Sequence, residues 1–158
     1  MEDLKNVASY ICNRYSDEFG TRIDEMKLHK LLYFAQRESL IQNKEPLFKE
    51  VFYGWKFGPV LKEIRGLYRE DAFYDSIPED VEQRIRPVMD KIFSEYAIKD
   101  SWNLSTLTHG ELAWKNSRIG VSDYDNSDNP MSVEDIKKDA ARIRERRELL
   151  KKFGFAKR

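Results

Sequence analysis

Apolar residues recur at Leu4, Val7, Ala8, Ile11 and Tyr15, the spacing of one helical face, and predict a helix from Asp3 to about Tyr15 that Gly20 brings to an end. A second run, "IDEMKLHKLLYFAQRESLIQ", is introduced by Thr21 as N-cap with Asp24 in an acidic first turn. Its apolar residues Met26, Leu28, Leu31, Leu32, Phe34, Ala35 and Leu40 fall on several sides, which predicts a helix at the centre of a bundle. The pattern then changes. Phe48, Glu50 and Phe52, then Tyr53, Trp55 and Phe57, recur at every second position with a break of phase at Gly54, so the period is that of extended chain with a bulge or tight crossing. Gly58 and Pro59 predict a turn followed at once by a helix, since proline at a first helical position gives up no helical hydrogen bond.

Further along, Val60, Ile64, Leu67 and Tyr68 continue that helix, and Ser76 caps a new start at Pro78. Pro87 within "QRIRPVMDKIFSEYA" predicts a kink, or two short helices meeting near Arg86. A helix follows from Ser101 to about His109, interrupted at Gly110 and resumed for a turn that holds Trp114. "IGVSDYDNSDNP" has the composition of a loop, mobile in character and acidic. Ser132 and Asp135 then form a capping-box-like start for a last, basic helix over 130–158. The expected fold is mainly α: a compact single-domain helical bundle, 1–158, with a small extended element around Phe48–Phe57.

Composition agrees with that expectation. The 158 residues include 41% hydrophobic, 35% charged and 13% aromatic, too aromatic for a disordered tail and too charged for a membrane protein. With no long apolar run and no basic start followed by an apolar block, the expectation is a cytoplasmic chain without membrane association. The one cysteine, Cys12, lies among Val7, Ala8, Ile11 and Tyr15 and reads as a buried small hydrophobe. Net charge is zero but divided: from Lys137 to Arg158 ten Lys or Arg face three Asp or Glu, leaving +7 there and −7 on the rest. Such an end suits nucleic acid, an acidic partner, or closure over the protein's own acidic half.

Candidate chemistry is sparse. Two histidines, His29 and His109, with no CxxC or HExxH spacing, predict no metal site, and the Glu25/His29 pair one turn apart is too small a ligand set. No glycine-rich phosphate loop is present, so no nucleotide cofactor is expected. Ser105, Thr106 and Thr108 lie near His109 without an identifiable third group. The residues therefore predict no catalytic machinery, no enzyme and no cofactor.

Three blocks in order carry a resemblance: "KLHKLLYFAQ" (27–36), "EPLFKEVFYGWKFGPVLKEI" (45–64) and "LSTLTHGELAW" (104–114). Together they resemble the Panacea antitoxin domain, known also from SocA-like antitoxins and GepA-like phage-associated proteins, over most of Met1 to Arg118. The resemblance implies an antitoxin that neutralises a cognate protein toxin by direct contact, with no catalytic residue. A family variant of that role delivers the toxin to a cytoplasmic protease as an adaptor; a nucleic-acid-associated role for the basic helix stands as a further alternative. Two departures from the family pattern are visible: Gly54 where alanine is usual before the tryptophan, and Ala113 where proline is usual before Trp114.

Lys27, Lys30, Trp55 and Phe57 are candidate partner-binding residues, joined by Arg144, Arg146 and Arg147 on the basic helix, outside the resembling blocks. For Trp55 and Phe57 the competing reading is a scaffold junction packed on the 27–36 helix, and for Lys27 and Lys30 a snorkelling or paired lysine. Tyr33, Gly58, Pro59, His109 and Trp114 read as structural members of the motif. Oligomeric state has no sequence signal.

Overall fold

The computed structural model describes residues 1–154, so the final four residues of the basic end, 155–158, lie outside the described residues. The elements are α1 (Leu4–Phe19), α2 (Glu25–Asn43), β1 (Tyr53–Trp55), β2 (Gly58–Val60), α3 (Lys62–Arg69), α4 (Glu79–Glu95), α5 (Ser101–His109), α6 (Leu112–Ser117) and α7 (Val133–Lys152). The mainly helical class with one small extended element is as the sequence predicts.

α2 is the axis of the bundle. Every residue from Lys27 to Ile41 is buried, and the helix touches α1, α3, α4, α5, α7 and β2. That follows from its apolar residues falling all round, which leaves no face for water. One hydrophobic core runs from Leu4 through Leu31, Phe48, Ile85 and Leu104 to Ala140. Cys12 is part of it, and burial pushes its thiol pKa up to about 12, so it behaves as a small apolar group.

The caps follow from single side chains. Asp3 accepts from the Lys5 and Asn6 amides at the start of α1, and Gly20 ends that helix in the left-handed region. α2 is capped by Asp24, whose carboxylate accepts from Lys27 N at 2.8 Å, three residues later than the expected Thr21 cap. Ile23 explains the shift: it is fully buried, so the chain stays extended to deliver it to the core before the helix begins. Ser132 caps α7 as expected, accepting from Asp135 N.

The expectations for the hairpin and for α4 change as well. Gly58 and Pro59 form a strand, paired antiparallel with β1 in the register Tyr53↔Val60, Gly54↔Pro59 and Trp55↔Gly58, and the following helix starts only at Lys62. Gly54 turns its N–H away, to Asn129 O, so Gly54 and Pro59 form a pair that exchanges no hydrogen bonds and proline's missing N–H costs the ladder nothing. The second change is in α4, one continuous helix with Pro87 inside it. Pro87 and Gln83, whose carbonyl loses its helical donor, both lie on the exposed face, where water replaces the lost bond.

The acidic loop after α6 is pinned. The Arg118 guanidinium donates to Gly54 O, Asp125 O and Ser122 O at 3.0, 2.6 and 2.7 Å. Met131 N donates to Phe52 O and Asn126 Oδ1 accepts from Lys56 N, so the loop lies along β1 as a third, irregular strand. One side chain able to donate to several carbonyls at once fixes what composition alone reads as mobile.

Both departures from the family pattern have a local cause. A Cβ on Gly54 would stand 1.9 Å from Ser117 Oγ, so α6 packs against bare backbone there. At Ala113 the backbone N–H donates to Asp139 Oδ2 at 3.0 Å, a bond that proline could not make; Asp139 of α7 also accepts from Leu112 N and so caps α6.

Candidate partner-binding site

The hairpin is a short rigid lever. Gly58 adopts φ +120°, a region L side chains rarely occupy, and the two loop residues Lys56 and Phe57 stand at its tip. Ser105 Oγ of α5 donates to Phe57 O at 2.6 Å, and Trp114 Nε1 of α6 donates to Trp55 O at 2.9 Å, so the tip is tied to two helices. Phe57 is 44% exposed and packs edge-to-face on Trp102 of α5, itself 61% exposed, with ring centroids 5.2 Å apart at 90°. An edge-to-face pair contributes about 1 kcal/mol beyond area burial. Two large rings held in fixed geometry and facing water form an apolar knob.

Beneath this knob lies a cleft of about 230 Å³ between the hairpin, α2 and α3. Trp55, half-buried, forms one wall, with the Arg65 guanidinium 4.8 Å over its ring. Its indole N–H is buried without an acceptor. Lys30 lines the same cleft at 1% exposure, and burial pulls its pKa down to about 8, against the pull of Asp24. Gly58 makes room for it: a Cβ there would lie 2.6 Å from Lys30 Cε and 2.7 Å from Thr108 Oγ1.

His29, also buried, donates from Nε2 to Glu25 Oε2 at 3.1 Å and accepts from Leu61 N at Nδ1 at 3.2 Å. Burial holds its pKa below the usual value, outweighing Glu25, and the Nδ1 acceptor role requires the neutral ring. His29 thus fastens α2 to the start of α3. His109 stacks on Trp114 with centroids 4.0 Å apart and 10° between planes, its Nε2 buried and unpaired and its pKa lowered by burial. Among the described residues no three His, Cys, Asp or Glu side chains gather as a metal site would. No helix there is long and apolar enough to cross a membrane.

The other predicted residues are placed as follows. Lys27 is buried, its Nζ 3.3 Å from Tyr15 Oη and 4.9 Å over the Tyr15 ring. Arg144 donates to Leu40 O and Ile41 O, carbonyls at the C-terminal end of α2, and Arg147 grips Glu38. Arg144 and Arg147 therefore lock α7 onto α2, and of the three predicted arginines Arg146 alone is exposed. Tyr33 donates to Glu111, which also accepts from Arg37 at 2.8 Å and Arg142 at 3.4 Å, tying α2, α6 and α7 together. The structure brings together Lys30, Trp55, Phe57, Gly58 and Pro59; Lys27 and the α7 arginines lie elsewhere.

Trp102 was not singled out by sequence. Its signal is a tryptophan just inside the Asp100-capped start of α5, flanked by Ser101 and Asn103, where a core residue is not expected. The arrangement presents binding groups: an apolar knob, and beside it a buried cation and an unpaired N–H.

A family model described as antitoxin SocA-like, Panacea domain, matches residues 28–115, more than half of the 158 residues. The matched segment runs from within α2 into α6 and contains the hairpin, the Phe57–Trp102 knob and most of the cleft lining, but not Glu25, Met26 and Asn126. No curated protein and no solved structure matches the chain.

Proposed function

The chain belongs to the SocA-like Panacea antitoxin family, and from that premise we propose that it neutralises a cytoplasmic protein toxin by stoichiometric contact, without catalysing any reaction. The observation that carries this reading is the exposed Phe57–Trp102 pair on a hairpin tip tied to α5 and α6. Interface energy concentrates on rigid aromatic anchors, because little conformational freedom remains to be lost when they are covered. Adaptor action, with delivery of the toxin to a protease, uses the same contact and differs in what becomes of the toxin afterwards. A nucleic-acid role would rest on α7, whose Arg144 and Arg147 are engaged with α2.

The test is co-expression of the full chain with the product of the adjacent reading frame. A one-to-one complex and restored growth support the reading; growth arrest that the chain does not relieve opposes it. A toxin whose amount falls only when a cytoplasmic protease is present identifies the adaptor form.

A further inference from the structure

The cleft under the hairpin holds a lysine whose burial nothing else in the fold accounts for. Lys30 is 1% exposed, and among the described residues its ammonium has no hydrogen-bond or ion-pair partner. The nearest carboxylate on the cleft wall, Glu25, is taken by His29 at 3.1 Å and Arg65 at 3.7 Å. Thr108 Oγ1, close by, gives its proton to Ser105 O. Trp55 adds a second unpaired donor, its indole N–H. Asp24 attracts the ammonium without contacting it, its carboxylate accepting instead from Lys27 N and Ser101 Oγ; a buried ammonium that touches no counter-charge is destabilising, and a fold keeps one where something else completes it.

The charges lining the cleft are Lys30, Lys56 and Arg65 against Glu25, with Arg65 and Glu25 already facing each other. One unpaired buried cation calls for one negative charge. The walls from Met26, Trp55, Phe57 and Val60 are largely apolar and offer no hydration for a dianion. A carboxylate has a single charge and two acceptor oxygens, matching one ammonium and one indole N–H.

We propose that this cleft is a carboxylate-binding site, and that the protein partner inserts an Asp or Glu side chain into it beside Phe57 and Trp102, completing the charge of Lys30. This rests on the toxin-binding reading for the source of the carboxylate, but the site itself is testable without a partner. Pairing in a site closed from water fixes the register of the complex, because a partner lacking the acid leaves Lys30 buried and uncompensated.

The experiment is an NMR titration of the full chain with sodium acetate at constant ionic strength, reading the Trp55 indole N–H and the Lys30 Cε resonances. Saturable shifts in both, with binding in the millimolar range, are expected, with a weaker response to phosphate. Lys30→Met, which keeps length and loses charge, is expected to weaken the Trp55 response at least about tenfold; Trp55→Phe is expected to weaken the Lys30 response about threefold. Absent saturation, phosphate binding tighter than acetate, or an unchanged acetate affinity in both variants overturns the proposal. With a captured partner, one Asp→Asn or Glu→Gln change in the partner should cost about tenfold in affinity and cost nothing further on Lys30→Met. Acetate binding without any captured partner leaves the site standing and counts against the toxin reading alone; a captured partner without acetate binding does the reverse.

Discussion

Arg147 of α7 grips Glu38 of α2 with both terminal nitrogens, each 2.9 Å from a carboxylate oxygen, and the carboxylate is 2% exposed. Removing the arginine leaves a buried charge with, among the described residues, Gln42 Nε2 as its one remaining side-chain donor, 3.0 Å away. Arg147→Ala is therefore expected to cost about 3 kcal/mol in denaturant unfolding. Arg146→Glu, on the exposed face, should stay within about 0.5 kcal/mol of the parent. Charge reversal across α7 accordingly reports on folding at Arg147 and on surface contact at Arg146.

The two departures from the family pattern predict different costs on being reversed toward it. Gly54→Ala forces a methyl group against Ser117 and is expected to destabilise by about 2 kcal/mol. Ala113→Pro removes one hydrogen bond to Asp139 and is expected to cost about 1 kcal/mol. Thermal unfolding of both variants checks the order. Gly54→Ala combined with Ser117→Gly should recover much of its loss, since the obstacle is one side chain.

Stability should fall on the acid side through His29. Its folded pKa lies below the unfolded value near 6.5, so the unfolded chain binds the extra proton more readily and stability is lost as pH drops below about 6.5. Protonation also turns the acceptor of the Leu61 N–H into a donor. Chemical unfolding between pH 7 and pH 5 reads the decline, and His29→Gln, uncharged throughout, should flatten it.

Lys30 has the opposite signature to a structural residue. With its pKa at about 8 against 10.5 for a free lysine, the folded state resists the charge. The cost is present in full below pH 8 and is relieved as pH rises from there toward 10.5, a gain of roughly 3 kcal/mol. Asp24 and His29 on its own element, His109 on α5, Arg65 on α3 and Lys56 on the hairpin surround the group and are present in both states of the lysine. Lys30→Met should raise the melting temperature at pH 7 while weakening partner binding, a split that no purely structural lysine would give.

Much of the fold was legible because the signals were local. The all-round apolar character of 26–40 announces a central α2, and Gly20, Gly110 and Ser132 mark boundaries that the chain respects. The expectation failed where distant residues decided: the β2 strand at Gly58–Pro59 depends on Gly54 facing Asn129, and the unbroken α4 on both Pro87 and Gln83 facing water. The site was half legible. Lys30, Trp55 and Phe57 are conspicuous as types, whereas Trp102 becomes their neighbour only through the docking of α5, and the inward turn of Arg144 and Arg147 requires a partner helix that no periodicity reveals.

The proposed role of the Phe57–Trp102 knob as the toxin contact is decided by the affinity of the Phe57→Ala, Trp102→Ala double variant for the co-expressed partner, taken with its melting temperature. The expected result is an affinity lowered at least about thirtyfold, as for loss of an interface anchor, with an unchanged melting temperature. A variant that binds its partner as tightly as the parent would contradict the account.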